Sequence, residues 1–236
     1  MGPQANRRRG TAVIRRIGSV AREDRKLLFH HIPKTGGSTL VEALRAGGWF
    51  EDLGRISGFG KTVARTHLPF SHEDNLPGYL HLTILRDPIE RIVSWVRWFR
   101  LQRSDFPALQ EAQDLARRLP MSMFLQRADL EQVRVNAMDR MVRQLGGDSS
   151  YEVSPTDETL DAALDVALGR LDRMFWIGHT ETLDADMARL FDMLYTPNPH
   201  VDRYNVGAGP DDPGDMQVLE GLTRRDRRLV DGWGNR

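Results

Sequence analysis

The chain has 236 residues, 40% of them hydrophobic and 28% charged, the make-up of an ordinary globular protein long enough for one good core. Its 33 basic and 33 acidic residues cancel, so no general affinity for polyanions such as nucleic acid follows. It contains no cysteine, which excludes disulfides, thiolate metal sites and thiol nucleophiles, and no apolar run is long enough to make a transmembrane segment.

In chain order, residues 1–26 read as a basic, flexible N-terminal arm. Eight Arg or Lys stand there against Glu23 and Asp24, without the apolar block of a signal peptide. With the missing cysteine, this sets the expectation of a cytoplasmic protein. The arm has two readings, a solvated segment or a contact for an anionic acceptor or membrane surface. Lysine occurs only at Lys26, Lys34 and Lys61, so a lysine at a special place in this arginine-biased chain carries some weight.

Leu27–Ile32 is short and mostly apolar and ends at Pro33, as a buried strand does. Gly36-Gly37 predict a tight turn, and Ser38 the cap of a helix running to about Ala46. Thr62–His67 reads as a second, weaker strand stopped by Pro69, and Tyr79–Leu85 as a third. Asp87-Pro88 then supply an N-cap and a first-turn proline for a helix with Ile89, Ile92, Val93, Val96 and Phe99 on one face. This order predicts an α/β domain with a largely parallel sheet. From Pro107 to Leu171 the patterns are helical, clearest over Leu130–Leu145 before Gly146-Gly147, and again over Thr156–Leu171. Met174–Ile177 reads as a late buried strand and Thr182–Leu194 as the helix after it. Pro197–Gly214 is rich in Pro and Gly, as a long ordered loop or a lid would be, and Leu219–Trp233 closes with a short helix. No repeat or low-complexity linker divides residues 27–236, which are read as one domain.

The turn Pro33-Lys34-Thr35-Gly36-Gly37-Ser38-Thr39 joins a strand to a helix. A Gly-rich turn there aims backbone N–H groups at one point, where the helix N-terminus also attracts anions. Ser38 and Thr39 add hydroxyls and Lys34 a mobile charge. Alone, a Gly-Gly-Ser-Thr turn is as readily an ordinary capped turn; the preceding apolar strand and Pro33-Lys34 favour the phosphate cradle. It is not a Walker A loop, because Lys34 precedes the glycines and no lysine follows them. Arg86, at the end of the third strand, projects at the carboxyl edge where ligands of open α/β sheets gather. Its plainer reading is a surface ion pair with Asp87 or Glu90. Ser94, two turns into the next helix, is placed to face the same site. Two anion sites after two strands suit a nucleotide phosphorylated at both ends.

Phe29-His30-His31-Ile32-Pro33-Lys34-Thr35-Gly36-Gly37-Ser38-Thr39-Leu40 closely resembles the 5′-phosphosulfate loop of the sulfotransferases that use 3′-phosphoadenosine-5′-phosphosulfate (PAPS). The nearest branch is the one that includes carbohydrate sulfotransferases such as the uronyl 2-O enzymes. Leu85-Arg86-Asp87-Pro88-Ile89-Glu90-Arg91-Ile92-Val93-Ser94-Trp95 looks like that family's 3′-phosphate motif. Weaker similarity continues in Asn136 to Gly146, in Phe175-Trp176-Ile177-Gly178-His179-Thr180-Glu181 and in Asn205-Val206. The resemblance implies a P-loop-like α/β sulfotransferase fold with a helical insertion, PAPS as co-substrate and no metal. The chain looks like a bacterial-type soluble member, without the membrane anchor of Golgi relatives. By matching positions, Lys34, Thr35, Gly36, Gly37, Ser38 and Thr39 would hold the 5′-phosphosulfate, and Arg86 and Ser94 the 3′-phosphate. Arg65-Thr66-His67-Leu68-Pro69-Phe70 resembles the stretch with the catalytic histidine, which places the base at His67. Some relatives have a second histidine where this chain has Arg65, so a two-histidine arrangement is absent.

Lys34 is then also catalytic, stabilising the charge that develops on the bridging oxygen. A histidine near its unperturbed pKa suits a base on the acceptor hydroxyl. His72 and Glu73 are reserve candidates for the base, while His30, His31 and His81 read as structural, and the seven histidines show no metal-ligand spacing. Trp95, Trp98 and Phe99 read as core, with a share in an aromatic acceptor pocket as the lesser reading. Arg134, Arg140 and Arg143 suit either an anionic sugar or a solvated helix face. The expected acceptor is a hydroxyl on a carbohydrate, glycoconjugate or small molecule. The competing classes are a P-loop kinase or other phosphoryl-transfer enzyme, and a non-catalytic nucleotide-binding protein.

Overall fold

The computed structural model describes residues 26–52, 62–66, 78–147, 156–202 and 215–234. Five strands, β1 (Lys26–His30), β2 (Phe50–Asp52), β3 (Thr62–Thr66), β4 (Tyr79–Leu85) and β5 (Trp176–His179), form one sheet in the order β2-β3-β1-β4-β5. Every pairing is parallel, with His30 opposite Thr66 on one side and Thr83 on the other. The helices are α1 (Gly37–Ala46), α2 (Pro88–Leu101), α3 (Pro107–Arg118), α4 (Met121–Leu125), α5 (Glu131–Asn136), α6 (Arg140–Gly146), α7 (Asp157–Leu171), α8 (Leu183–Leu194), α9 (Met216–Leu222) and α10 (Arg224–Gly234). The expected α/β class with a parallel sheet and a helical middle is thus observed.

Both faces of the sheet are covered, as all-parallel sheets require. Leu27, Phe29, Leu82, Ile84 and Trp176 face one way and pack on α1 and α8 through Leu40, Leu44, Leu190 and Phe191. The opposite face joins Ile32, Leu85 and Ile177 to α6, α7 and α10. A third cluster packs α2 against α3 and α4, where Trp95, Phe99 and Phe124 stack with ring centroids 5.3–6.1 Å apart. His30 and His81 also lie on the second face, stacked and joined His30 Nε2 to His81 Nδ1 at 2.9 Å. Burial, aided by the nearby charges of His81 and Arg170, pushes His30 down to about 3, so it stays neutral in the fold.

Several local expectations need correction. Ser38 does not cap α1: Gly36 takes the N-cap position in the left-handed conformation at φ 89°, so the helix starts early and Ser38 falls inside its first turn. Asp87 does cap α2, accepting from the N–H groups of Ile89 and Glu90 at 3.0 Å. The single helix expected over Leu130–Leu145 is two, α5 and α6, parted at Asp139, whose φ of 41° breaks the helical run. The carboxylate of Asp139 accepts from the N–H groups of Arg225 and Asp226, at the start of α10. Asp226 in turn accepts from the N–H groups of Met141 and Val142, at the start of α6. The two helices therefore exchange caps. Arg140 and Arg143 are buried and donate to the carbonyls of Val135 and Arg134, so neither forms a solvated face. The closing helix is likewise two, α9 and α10. The arm before Lys26 and most of Pro197–Gly214 lie outside the described residues, while Lys26 itself opens β1.

Candidate active site

From β1 the chain builds β2 and β3 on one side of the sheet, and from β4 it builds β5 on the other. The crevice at the carboxyl ends of β1 and β4 is thus the switch point where ligands of open parallel sheets bind. The loop after β1 and the loop after β4 meet there. Arg86 Nη1 donates to the carbonyl of Lys34 at 3.0 Å.

The loop from His31 to Gly36 is held through its carbonyls. His31 O accepts from Gln144 Nε2 at 3.1 Å, Ile32 O from Thr35 Oγ1 at 2.9 Å, Lys34 O from Arg86, and Thr35 O from Thr180 Oγ1 at 2.7 Å. Each planar trans peptide points its N–H opposite to its C=O, so these four ties fix where the N–H edge faces. Lys34 and Gly36 both lie in the left-handed region, at φ 72° and 89°. For a lysine that conformation costs about 1–2 kcal/mol, and it turns the backbone into the concave form that binds anions. Gly36 also has no room for a side chain: a Cβ there would lie 2.9 Å from Leu183 Cδ2. Thr35 and Thr39 are buried, and the Thr35 hydroxyl is used within the loop, whereas Ser38 is half-buried at the start of α1.

The side chain of Lys34 crosses to α2, with Nζ 5.5 Å from the centroid of Trp98, which is 41% exposed. Ser94 is one turn before Trp98 on α2, so it shares the helix face that Lys34 approaches at Trp98. Trp95 and Phe99 are core as expected; Trp98 is not. Arg86 also pairs with Glu90 at 3.6 Å, an exposed contact of small energetic weight. Burial and then the charge of Arg86 pull Lys34 below its usual value. Burial lowers Arg86 too, against the carboxylates of Glu90, Glu181 and Asp87, and Arg97 adds a further positive neighbour. Half-buried cations gathered this way repel one another, and an incoming polyanion relieves that cost.

His67, with the reserve candidates His72 and Glu73, lies outside the described residues. β3 ends at Thr66, opposite His30, at the same carboxyl edge as the cradle. Among the described residues, no three His, Asp or Glu side chains gather as for a metal ion, and no helix is long and apolar enough to cross a membrane.

The structure adds supports that sequence reasoning missed: Gln144, Thr180, Glu181 and Leu183. Glu181 Oε1 accepts from the Asp87 N–H at 2.9 Å, beside the Thr180 contact. All four act across long sequence separations, and the motif around Thr180 and Glu181 was visible only as a resemblance.

A family model described as "Sulfotransferase family" matches residues 19–208. No curated protein matches the chain. Among solved structures, the crystal structure of mouse sulfotransferase SULT7A1 complexed with PAP is similar at a TM-score of 0.38 and 14% identity, over 90% of this chain and 82% of that one.

Proposed function

The chain belongs to the sulfotransferase family, and we propose that it moves the sulfuryl group of PAPS to an acceptor hydroxyl on a carbohydrate or glycoconjugate. The observation that carries this reading is the meeting of two cationic loops at the switch point, with Arg86 on the carbonyl of a left-handed Lys34. In this reading the loop from Lys34 to Thr39 holds the 5′-phosphosulfate, through backbone N–H groups, Ser38 and the Lys34 ammonium. Arg86 and Ser94 hold the 3′-phosphate.

The acceptor oxygen attacks sulfur in line with the bond to the 5′-phosphate. As the new S–O bond forms, the old one breaks and its electron pair stays on the phosphate oxygen. The acceptor proton passes to His67. Lys34 stabilises the oxygen that departs. Burial and the charge of Arg86 lower the pKa of Lys34, and the donor's negative charge acts in the opposite sense, favouring the ammonium form. Trp98 supports a saccharide acceptor: a half-exposed aromatic face beside Lys34 can stack on the C–H face of a sugar ring.

The test is incubation of the full chain with radiolabelled PAPS and a panel of glycans, lipids and phenols, alongside calorimetry with 3′,5′-bisphosphoadenosine. Label transferred to a glycan, with tight binding of the bisphosphate, is the expected result. No transfer to any acceptor, together with no binding, refutes the proposal.

A further inference from the structure

Thr180 directly follows β5, whose last residue, His179, pairs with Leu85 at the end of β4. From there its Oγ1 reaches two carbonyls, Thr35 O at 2.7 Å and Leu85 O at 3.3 Å. One carbonyl belongs to the cradle after β1; the other belongs to the residue just before Arg86. A single hydroxyl proton is shared between them, with the shorter contact taking most of it. The Thr180 methyl carbon lies 4.0 Å from where a Cβ on Gly36 would stand, so the same side chain also backs the left-handed turn. Glu181 extends the connection by accepting from Asp87 N–H, and Leu183 closes it from below against Gly36. The end of β5 is thereby fastened to both loops at the switch point.

We propose that Thr180 is a positioning residue whose hydroxyl sets the spacing between the phosphosulfate loop and the 3′-phosphate loop, so that the site favours a nucleotide anionic at both ends. This rests on the nucleotide reading above. Neither loop needs Thr180 to form: Gln144, Arg86 and the Thr35 hydroxyl hold the cradle, and Asp87 caps α2. What Thr180 adds, beside the contact of Arg86 with the Lys34 carbonyl, is a second tie between them. A ligand that bridges two sites gains when their separation is fixed before it arrives, because it need not supply the ordering itself.

The test compares the full-length wild type with Thr180→Val, which keeps the shape and removes the hydroxyl, and Thr180→Ser, which keeps the hydroxyl and removes the methyl. Calorimetry uses 3′,5′-bisphosphoadenosine, adenosine 5′-monophosphate and adenosine 3′-monophosphate. Hydrogen exchange follows the backbone N–H groups of residues 34–37 in the free protein. Thr180→Val is expected to bind the bisphosphate about fivefold to tenfold more weakly, the scale of one hydrogen bond, and either monophosphate within about twofold of wild type. Exchange of residues 34–37 quickens in Thr180→Val, and Thr180→Ser behaves as wild type in both arms. The proposal is overturned if Thr180→Val binds the bisphosphate normally, if all three nucleotides lose affinity alike, or if Thr180→Ser is as impaired as Thr180→Val. A wild type that binds no bisphosphate refutes the nucleotide reading instead. The exchange arm then decides the tie alone, and unchanged exchange in Thr180→Val overturns it.

Discussion

Gly37 opens α1 where the helix meets the cradle, and a single added methyl there is predicted to damage both stability and turnover. A Cβ at this position would lie 2.1 Å from His31 Cδ2 and 2.3 Å from Nε2. Ordinary contact begins near 3.4 Å, so the shortfall is about 1.3 Å, well up the repulsive wall. The imidazole has little room to retreat. It stacks on the fully buried Phe29 with centroids 5.2 Å apart, and the His31 carbonyl is held by Gln144. Overpacking of this kind costs about 1–3 kcal/mol, and a clash with a wedged ring belongs near 3 kcal/mol. The strain is relieved by moving either His31 or the start of α1. A shift of about 1 Å in a positioning element is enough to lower turnover about 100-fold. Urea unfolding and sulfuryl transfer should be measured on wild type, Gly37→Ala, His31→Ala and the double variant. His31→Ala opens the space that the new methyl needs, so the double variant should lose about 2 kcal/mol less than the two single losses combined. Gly37→Ala within about 0.5 kcal/mol of wild type, or losses that simply add, would refute the reasoning.

Three further outcomes are expected. Arg86→Ala should weaken 3′,5′-bisphosphoadenosine about 10- to 100-fold, the worth of a charge-assisted hydrogen bond, and normal binding by calorimetry removes Arg86 from the site. His67→Ala should lower sulfuryl transfer about 10²–10⁴-fold while bisphosphate binding stays intact; a variant as active as wild type assigns the base elsewhere. Burial keeps His30 from taking up its second ring proton in the fold until about pH 3, whereas the unfolded imidazole takes it up near 6.5. Its contribution to stability is therefore whole above pH 6.5 and drains away as pH falls toward 3. Between pH 7.5 and 5, wild type should lose more stability in urea titrations than His30→Leu, and equal losses contradict the burial argument.

What could be read in the chain were features whose signals are local. Asp87-Pro88 carry a cap and a first-turn proline in adjacent residues, and the apolar run Tyr79–Leu85 coincides with a central strand. β2 escaped notice because three residues at a sheet edge are too few to show a period. Ser38 misled because a serine after two glycines resembles a cap, while the left-handed backbone of Gly36 starts the helix before it. The break at Asp139 was invisible for a different reason. Its carboxylate is matched to backbone groups at 225 and 226, and no window of neighbouring residues contains both partners. The site divides in the same way: Lys34 and Arg86 stand out by motif, while Thr180 joins Thr35 across 145 positions. Trp98 looks like its neighbours Trp95 and Phe99 in sequence, and only the packing of α2 on α3 and α4 turns it outward to Lys34.

The exchanged caps of α6 and α10 also order events during synthesis. Asp226 supplies the partners for the first N–H groups of α6, and it leaves the ribosome more than eighty residues after them. Until then α6 is a seven-residue helix with uncapped amides, too short to persist by itself. Gln144 rides on α6 and grips the His31 carbonyl, so the first loop to be translated is among the last to be secured. A nascent chain stalled before residue 226 should therefore display the sheet's strands and α1 with the Gln144 tie to the cradle not yet secured. Release of α10 is the step that secures that tie.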